Sequence, residues 1–353
     1  MSLELPTVSI IVSAYQNISY LPAAIDSILQ QTYDNFEILV FSGDYHQIYP
    51  CFERQPDCRL RFILQSNLGL ATTLNQGIVE ARGKYISIVK PGDLWHPSKL
   101  QKQVFCLDRY NHIDLVHSPS ILIARQGQFR KTIKQPVAIW EKSEILARNQ
   151  LALSSVMLRR RCFEIVGLFD PELEIIPDWE MWIRLSHSCQ FMAIAEPLIY
   201  CRQLQSDKQD RWLMLETDLQ TMIEKVYALL SPEQQKHRSY GYASLFLARH
   251  VLEHKNPDPA IAENYWYQAL QHDPLIVFSS EFRRLQWIIF SLYFFDSDRY
   301  QNLLQLVRST GDSLKVAVHR LRGYSQKIVD WMLEEEDSIN FWKNRKVKRQ
   351  GKD

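Results

Sequence analysis

The run V-S-I-I-V-S-A-Y, Val8 to Tyr15, is followed by L-P-A-A-I-D-S-I-L-Q-Q-T-Y from Leu21 and by F-E-I-L-V-F from Phe36. The first segment is a short β-branched apolar run with a turn after it, and it reads as a strand buried on both faces. In the second, Leu21, Ala24, Ile25, Ile28 and Leu29 fall at helical spacing. The third is again a buried strand. Working outward, Leu60 to Leu64 (L-R-F-I-L) predicts a further strand, residues 70–82 a helix ended by Gly83, and Tyr85 to Val89 (Y-I-S-I-V) a fourth strand. Strands that alternate with helices require a mainly parallel sheet with helices on both faces. Ligands of such sheets sit at the carboxyl ends of the strands, where the strand order reverses.

Farther along, residues 114–117, 121–124 and 155–158 read as short strands, and 160–166 and 179–186 as helices. Beyond Asp207 the strand signals stop, and 211–230, 239–254, 258–272 and 278–295 all carry helical periodicity. The expected organisation is an α/β domain over residues 1–206, an all-α appendage over 207–342 and a basic tail over 343–353. Within the appendage, A-E-N-Y-W-Y-Q-A-L-Q-H-D-P from Ala262 resembles one helical hairpin of a tetratricopeptide array, but one hairpin does not make an array.

Composition narrows the function classes. The 353 residues are 46% apolar and 23% charged, as an ordinary globular chain would be, and 41 Lys and Arg face 40 Asp and Glu. No global basic field is available to draw nucleic acid by counterion release. The six cysteines, at 51, 58, 106, 162, 189 and 201, form no C-x-x-C pair and read as reduced thiols. Met1 to Thr7 lacks a basic and apolar leader, and the longest apolar run, Leu285 to Phe295, falls well short of the ~20 residues a membrane span needs. A cytoplasmic location is expected. Lys343 to Lys352 holds six Lys or Arg and follows Phe341 and Trp342. It reads as a solvated tail, with weak peripheral contact at the inner face of a membrane as the alternative.

The opening segments resemble family 2 glycosyltransferases, the large inverting GT-A family. The resemblance continues through N-L-G-L-A-T-T-L-N-Q-G-I from Asn67, A-R-G-K-Y-I-S from Ala81 and G-D-L-W-H-P-S-K-L-Q-K-Q from Gly92. It resumes with S-S-V-M-L-R-R from Ser154, V-G-L-F-D-P-E-L from Val166 and D-W-E-M-W-I-R-L from Asp178. It covers roughly residues 6–206 in family order. It implies a GT-A, Rossmann-like α/β fold and transfer of a sugar from a nucleotide diphosphate to a hydroxyl of a glycan, lipid-linked or polysaccharide precursor. A nucleotide-binding oxidoreductase is disfavoured because no G-x-G-x-x-G follows the first strand.

Carried onto this chain, the resemblance places the nucleotide at Ala14, Tyr15 and Asn17 after the first strand and at Ser42 or Asp44 after the second. Tyr15 is a base contact or a packing residue. Ser42 stands where the family has a carboxylate. The family's general base falls on Asp178, preceded by Pro177 and followed by Trp179; the competing reading is a helix N-cap. Trp95, Trp179 and Glu180 are expected on the acceptor side, and Trp182 there or in the core. The family also implies a divalent Mg²⁺ or Mn²⁺ held by an Asp-x-Asp at the end of the fourth strand, with a His later in the chain. Here I-V-K-P-G-D-L-W puts Lys90 and Gly92 at the two Asp positions, keeps Asp93, and leaves Leu204 near the His position. No metal ligand set is therefore expected. Either Lys90 replaces the cation against the diphosphate, or the chain is a catalytically inactive GT-A-like binding or scaffold module.

Overall fold

The computed structural model describes residues 5–15, 17–44, 57–66, 69–133, 145, 149, 151–203, 211–230, 233–252 and 258–294. The basic tail and Leu204 lie outside them. The chain divides into two compact units, residues 1–289 and 290–353, and the account below concerns the first.

Strands β1 (Val8–Ser13), β2 (Phe36–Ser42), β3 (Leu60–Leu64) and β4 (Tyr85–Val89) are parallel neighbours, with Val8 opposite both Phe36 and Tyr85. The strands at 8–13 and 85–89 thus share one sheet, as the sequence predicts. Every residue of β1 from Val8 to Val12 is fully buried, because helices cover both faces and an alternating pattern would place polar groups in the core. Helices α1 (Leu21–Leu29) and α2 (Leu70–Glu80) provide cover; α1 buries Leu21, Ala24, Ile25 and Ile28. Gly77 of α2 lies so close to β1 that a Cβ there would stand 2.6 Å from Ile11 Cγ2. Any larger residue would push the helix off the sheet.

The sheet is completed by β6 (Leu115–His117), β9 (Met157–Arg159) and β10 (Phe191–Ala193), in the order β10-β6-β9-β4-β1-β2-β3. Only β9 runs antiparallel to its neighbours. The order reverses at β1, between β2 and β4, so a crevice opens at the carboxyl ends of β1 and β4. A second sheet, in the order β5-β11-β7-β8, is built from β5 (Leu94–Trp95), β7 (Ser120–Ile123), β8 (Phe129–Ile133) and β11 (Ile199–Arg202). Its antiparallel pairing of Ile199 with Trp95 and Tyr200 with Leu94 brings the end of β11 to the turn after β4.

Helices α3 (Lys99–Arg109), α4 (Arg161–Val166) and α5 (Pro177–Ser188) flank these sheets. The sequence reading has no element at α3, although Leu100, Val104 and Leu107 stand at helical spacing and are buried. It also lacks β8, β10 and β11, whose three to five residues carry no period long enough to read. Beyond them come α6 (Arg211–Leu230), α7 (Glu233–Leu252), α8 (Pro259–His272) and α9 (Ser280–Phe294), the all-α region expected from the sequence. Asp258 caps α8 by accepting hydrogen bonds from the backbone of Ala260 and Ile261. No helix among the described residues is long and apolar enough to cross a membrane.

Candidate active site

The turn after β4 carries Lys90, Pro91, Gly92 and Asp93. It is closed by the Asp93 amide, which donates to the Lys90 carbonyl at 2.9 Å. Ser154 holds it from the side: its hydroxyl donates to Asp93 Oδ2 at 2.6 Å and accepts the Lys90 amide at 3.1 Å. From β11, the Arg202 amide donates to Asp93 Oδ1 at 3.1 Å, and Arg202 Nε donates to the Gly92 carbonyl at 3.0 Å. Both oxygens of Asp93 are therefore engaged, and the carboxyl is buried. Burial pushes its pKa above the ordinary carboxylate value; the Ser154 hydroxyl and the charges of Lys90 and Arg202 pull it back.

Asp178 occupies the other side of the site, at the second position of α5. Ile176 is the N-cap residue and Pro177 the first helical one. Asp178 is thus one turn-position inside the helix, where its Oδ1 accepts the Trp179 amide at 2.9 Å, and the side chain of Asn149 donates to it as well. It too is buried, and burial raises its pKa. Here the largest opposing influence is Lys90. One exposed ammonium on the β4 turn therefore acts on both buried carboxyls.

At the crevice's other wall, the Ala14 amide donates to the Phe41 carbonyl at 2.8 Å, and Tyr15 OH donates to the Gln65 carbonyl at 2.7 Å. Tyr15 therefore braces the ends of β1 and β3, with its ring close over Gly43. Asn17 adopts a left-handed conformation at φ 58° in the turn that follows. Ser42 is buried and its hydroxyl accepts the Asp44 amide at 3.1 Å, so this pair closes the turn after β2.

The three residues expected on the acceptor side lie behind the surface. Trp95 is buried and donates from Nε1 to the Ser154 carbonyl at 3.1 Å. Trp179 donates from Nε1 to the Ile145 carbonyl at 2.7 Å, and Glu180 receives both arms of Arg184, at 2.5 and 2.7 Å. Whatever they contribute to an acceptor site they contribute by shaping it from beneath. Trp182 is fully buried in the core.

Among the described residues no cluster of three or more His, Cys, Asp or Glu could hold a metal ion. The family's divalent cation does not fit the residues present at the β4 turn. Asp93 spends its oxygens on Ser154 and Arg202, and the two positions where the family has its Asp-x-Asp carboxylates hold Lys90 and Gly92.

The sequence reading missed Ser154, Arg202 and Lys99. Ser154 lies inside a quoted motif but its role is visible only once β9 is seen beside β4. Lys99 is fully buried at the start of α3; its Nζ donates to Gln103 Oε1 at 2.7 Å and Ser87 Oγ at 3.2 Å and lies 3.8 Å from the centre of the Trp95 ring. With no carboxylate partner in that set, burial drives its pKa well below the ordinary lysine value.

Comparison with known proteins gives this geometry a context. Residues 9–154 match the model of the glycosyl transferase family 2. An uncharacterized glycosyltransferase of Rickettsia bellii is 25% identical over 325 residues, covering 87% of this chain and 46% of its own length. Another from Methanocaldococcus jannaschii is 27% identical over 210 residues, covering 57% and 72%. The chain spans about half the length of the first of these curated relatives. Among solved structures, Staphylococcus aureus TarS 1-349 in complex with UDP-GlcNAc superposes with a TM-score of 0.53 at 16% identity, over 87% of this chain and 92% of that one. The mannosyltransferase PcManGT of Pyrobaculum calidifontis, in complex with GDP-Man and Mn²⁺, gives 0.52 at 16%, over 90% and 87%. At such identities the likeness is one of fold.

Proposed function

We propose, from the match of residues 9–154 to the glycosyl transferase family 2 model, that this chain transfers a sugar from a nucleotide diphosphate to a hydroxyl of a glycan or lipid-linked acceptor, with Asp178 as general base and without a divalent metal. The observation that supports the reading is the β4 turn itself: Lys90 stands exposed at the carboxyl end of β4, and the one carboxylate the turn keeps, Asp93, has both oxygens engaged by Ser154 and Arg202.

The chemistry follows from the charges. The acceptor oxygen bonds to the anomeric carbon as the bond from that carbon to the diphosphate oxygen breaks. The leaving electron pair stays on the diphosphate, and the hydroxyl proton passes to the Asp178 carboxylate. A positive group beside the diphosphate stabilises the charge that develops there, and Lys90 supplies it as a point charge on a flexible stem. The same ammonium opposes the burial that favours a protonated Asp178. Ala14, Tyr15, Asn17, Ser42 and Asp44 line the nucleotide side of the crevice in this reading, and Gly92 and Asp93 its diphosphate end.

Ser42 favours a second reading. Its hydroxyl is spent on the Asp44 amide where the family has a free carboxylate, which suits a module that binds without transferring. Isothermal titration with UDP and GDP, each with and without EDTA, separates the cases. The expected result is binding of one nucleotide that survives EDTA. Binding abolished by EDTA overturns the metal-free site, and binding of neither nucleotide favours the non-catalytic module.

A further inference from the structure

The segment from Leu168 to Ile176 joins α4 to α5 and so delivers Asp178 to the site. Its first residues are tied to the α/β body: Asn75 of α2 exchanges two hydrogen bonds with the Phe169 backbone, both 2.8 Å, and Arg184 NH2 donates to the Leu168 carbonyl at 2.8 Å. The remainder is held by α6. Asp218 is buried, and its Oδ2 accepts the Ile175 amide at 2.6 Å and the Ile176 amide at 3.2 Å. Two turns later on the same helix face, Lys225 Nζ donates to Asp170 Oδ2 and Glu172 Oε2, both at 2.6 Å. Trp179 meets Phe246 of α7 edge-on, with ring centres 6.0 Å apart.

We infer that Asp218, seconded by Lys225, is a positioning residue for the reaction: it fixes the entry of α5 and thereby holds Asp178 opposite Lys90. The inference rests on Asp178 being the general base. The physical argument is one of unsatisfied donors. Ile176 is the N-cap of α5 and offers no side-chain acceptor, and Pro177 supplies a fixed φ at the first helical position but no capping oxygen. Without Asp218 the Ile176 amide would be buried unpaired and the partly buried Ile175 amide would lose its acceptor, so the chain would have to reorganise there. Asp178 is two residues downstream. A general base displaced by about 1 Å can lose on the order of 100-fold in rate, whereas the nucleotide, held at the ends of β1, β2 and β4, would bind as before. Helix α6 then supports the catalytic machinery, as a splint across the last segment before the base.

The test compares Asp218→Ala, Asp218→Asn and Lys225→Met in the full chain. Turnover is measured per folded molecule, nucleoside diphosphate affinity by titration, and amide hydrogen exchange over residues 175–179. Asp218→Ala should lower kcat about tenfold or more with nucleotide affinity within about twofold, and exchange at 175–179 should speed up while the β1 and β4 amides do not change. Asp218→Asn keeps an acceptor oxygen and should restore most of kcat. Lys225→Met removes two partly exposed ion pairs and no buried partner of the helix start, so it folds even if Asp218→Ala does not, and should lower kcat a few-fold with the same unchanged affinity. Unchanged exchange at 175–179 in both Asp218→Ala and Lys225→Met overturns the inference. So does a loss of kcat that tracks a loss of nucleotide affinity. Adding Asp218→Ala to Asp178→Asn distinguishes the two levels of argument: no further loss means that Asp218 acts through the base. Undiminished turnover in Asp178→Asn alone refutes the base itself.

Discussion

Asp93 and Asp178 are almost equally buried, at 7% and 6% exposure, yet they are supported in different ways. Asp93 is four residues past the end of β4, and its partners are the turn's own Lys90, Ser154 from just before the neighbouring strand, and Arg202 from a strand whose register aligns it. Asp178 sits at a helix start whose geometry depends on Asn149 and on a helix forty residues further along the chain. The first carboxyl is set by the sheet. The second is set by an element that lies outside the sheet altogether. Under the proposed function, the diphosphate end of the site would be held by the two sheets and the base by a helix start anchored from outside them.

The strongest way to break this comparison is to remove the base alone. Asp178→Asn should reduce turnover by about 100-fold or more, the usual scale for a lost general base, with nucleotide affinity nearly intact. Measured by product formation under saturating donor and by titration, a parallel loss of both quantities would mean that the two halves of the site are not separable.

How much of this was legible in the sequence follows the same division. The β1, β2 and β4 strands announce themselves because burial on both faces imposes unbroken apolar runs, and K-P-G-D after Val89 could be read as a turn that lacks its carboxylates. Lys90 and Asp93 are singled out there by the resemblance, which places the family's Asp-x-Asp on this turn. Asp178 is singled out by the resemblance, not by periodicity, and the sequence places the helix start at Trp179, two residues late, because Pro177 marks a helix start as readily as it marks a loop. Trp95, Trp179 and Glu180 were identified by motif, but which way they face depends on packing against Ser154, Ile145 and Arg184, which no spacing in the sequence encodes. Asp218 was invisible for a related reason. A buried aspartate in an amphipathic helix looks like any polar-face residue until its partner amides are known.

The middle-sized effect tests whether the two carboxyls share one cation. Lys90→Ala should weaken nucleoside diphosphate binding by about 1.5–3 kcal/mol, the range for a hydrogen bond to a charged group. It should also move the acid limb of kcat/KM to higher pH. Burial already raises Asp178, and Lys90 opposes it; without the ammonium the base holds its proton further up the pH scale and must lose it to act. Weakened affinity with an unmoved acid limb would confine Lys90 to the diphosphate, and neither change would make it a solvated lysine at a strand end.

The smallest effect concerns Lys99, which lies under the sheet side of the site against Ser87 of β4 and the Trp95 ring. Its folded pKa is depressed by burial below the ordinary value of 10.5. Between these two values the unfolded chain takes a proton that the folded chain refuses, so the unfolded state binds more protons and stability rises with pH toward 10.5. Lys99→Met should remove that rise. The substitution also leaves Gln103 Oε1 without the amine that donated to it, a cost of about 1–3 kcal/mol that opposes the relief of burying an amine, so the melting temperature near neutral pH should change by only a few degrees. The slope is the decisive quantity. Buried acids with raised pKa values, such as Tyr15 and Cys106, make stability fall at alkaline pH in both proteins alike, and the difference in melting temperature between wild type and Lys99→Met from pH 7 to 10 isolates the lysine. It should grow in favour of the wild type as pH rises. Because Lys99 supports the Asp93 side and not the Asp178 side, hydrogen exchange at residues 175–179 should stay as in the wild type; faster exchange there would show that the sheet and the helix start are one cooperative support after all.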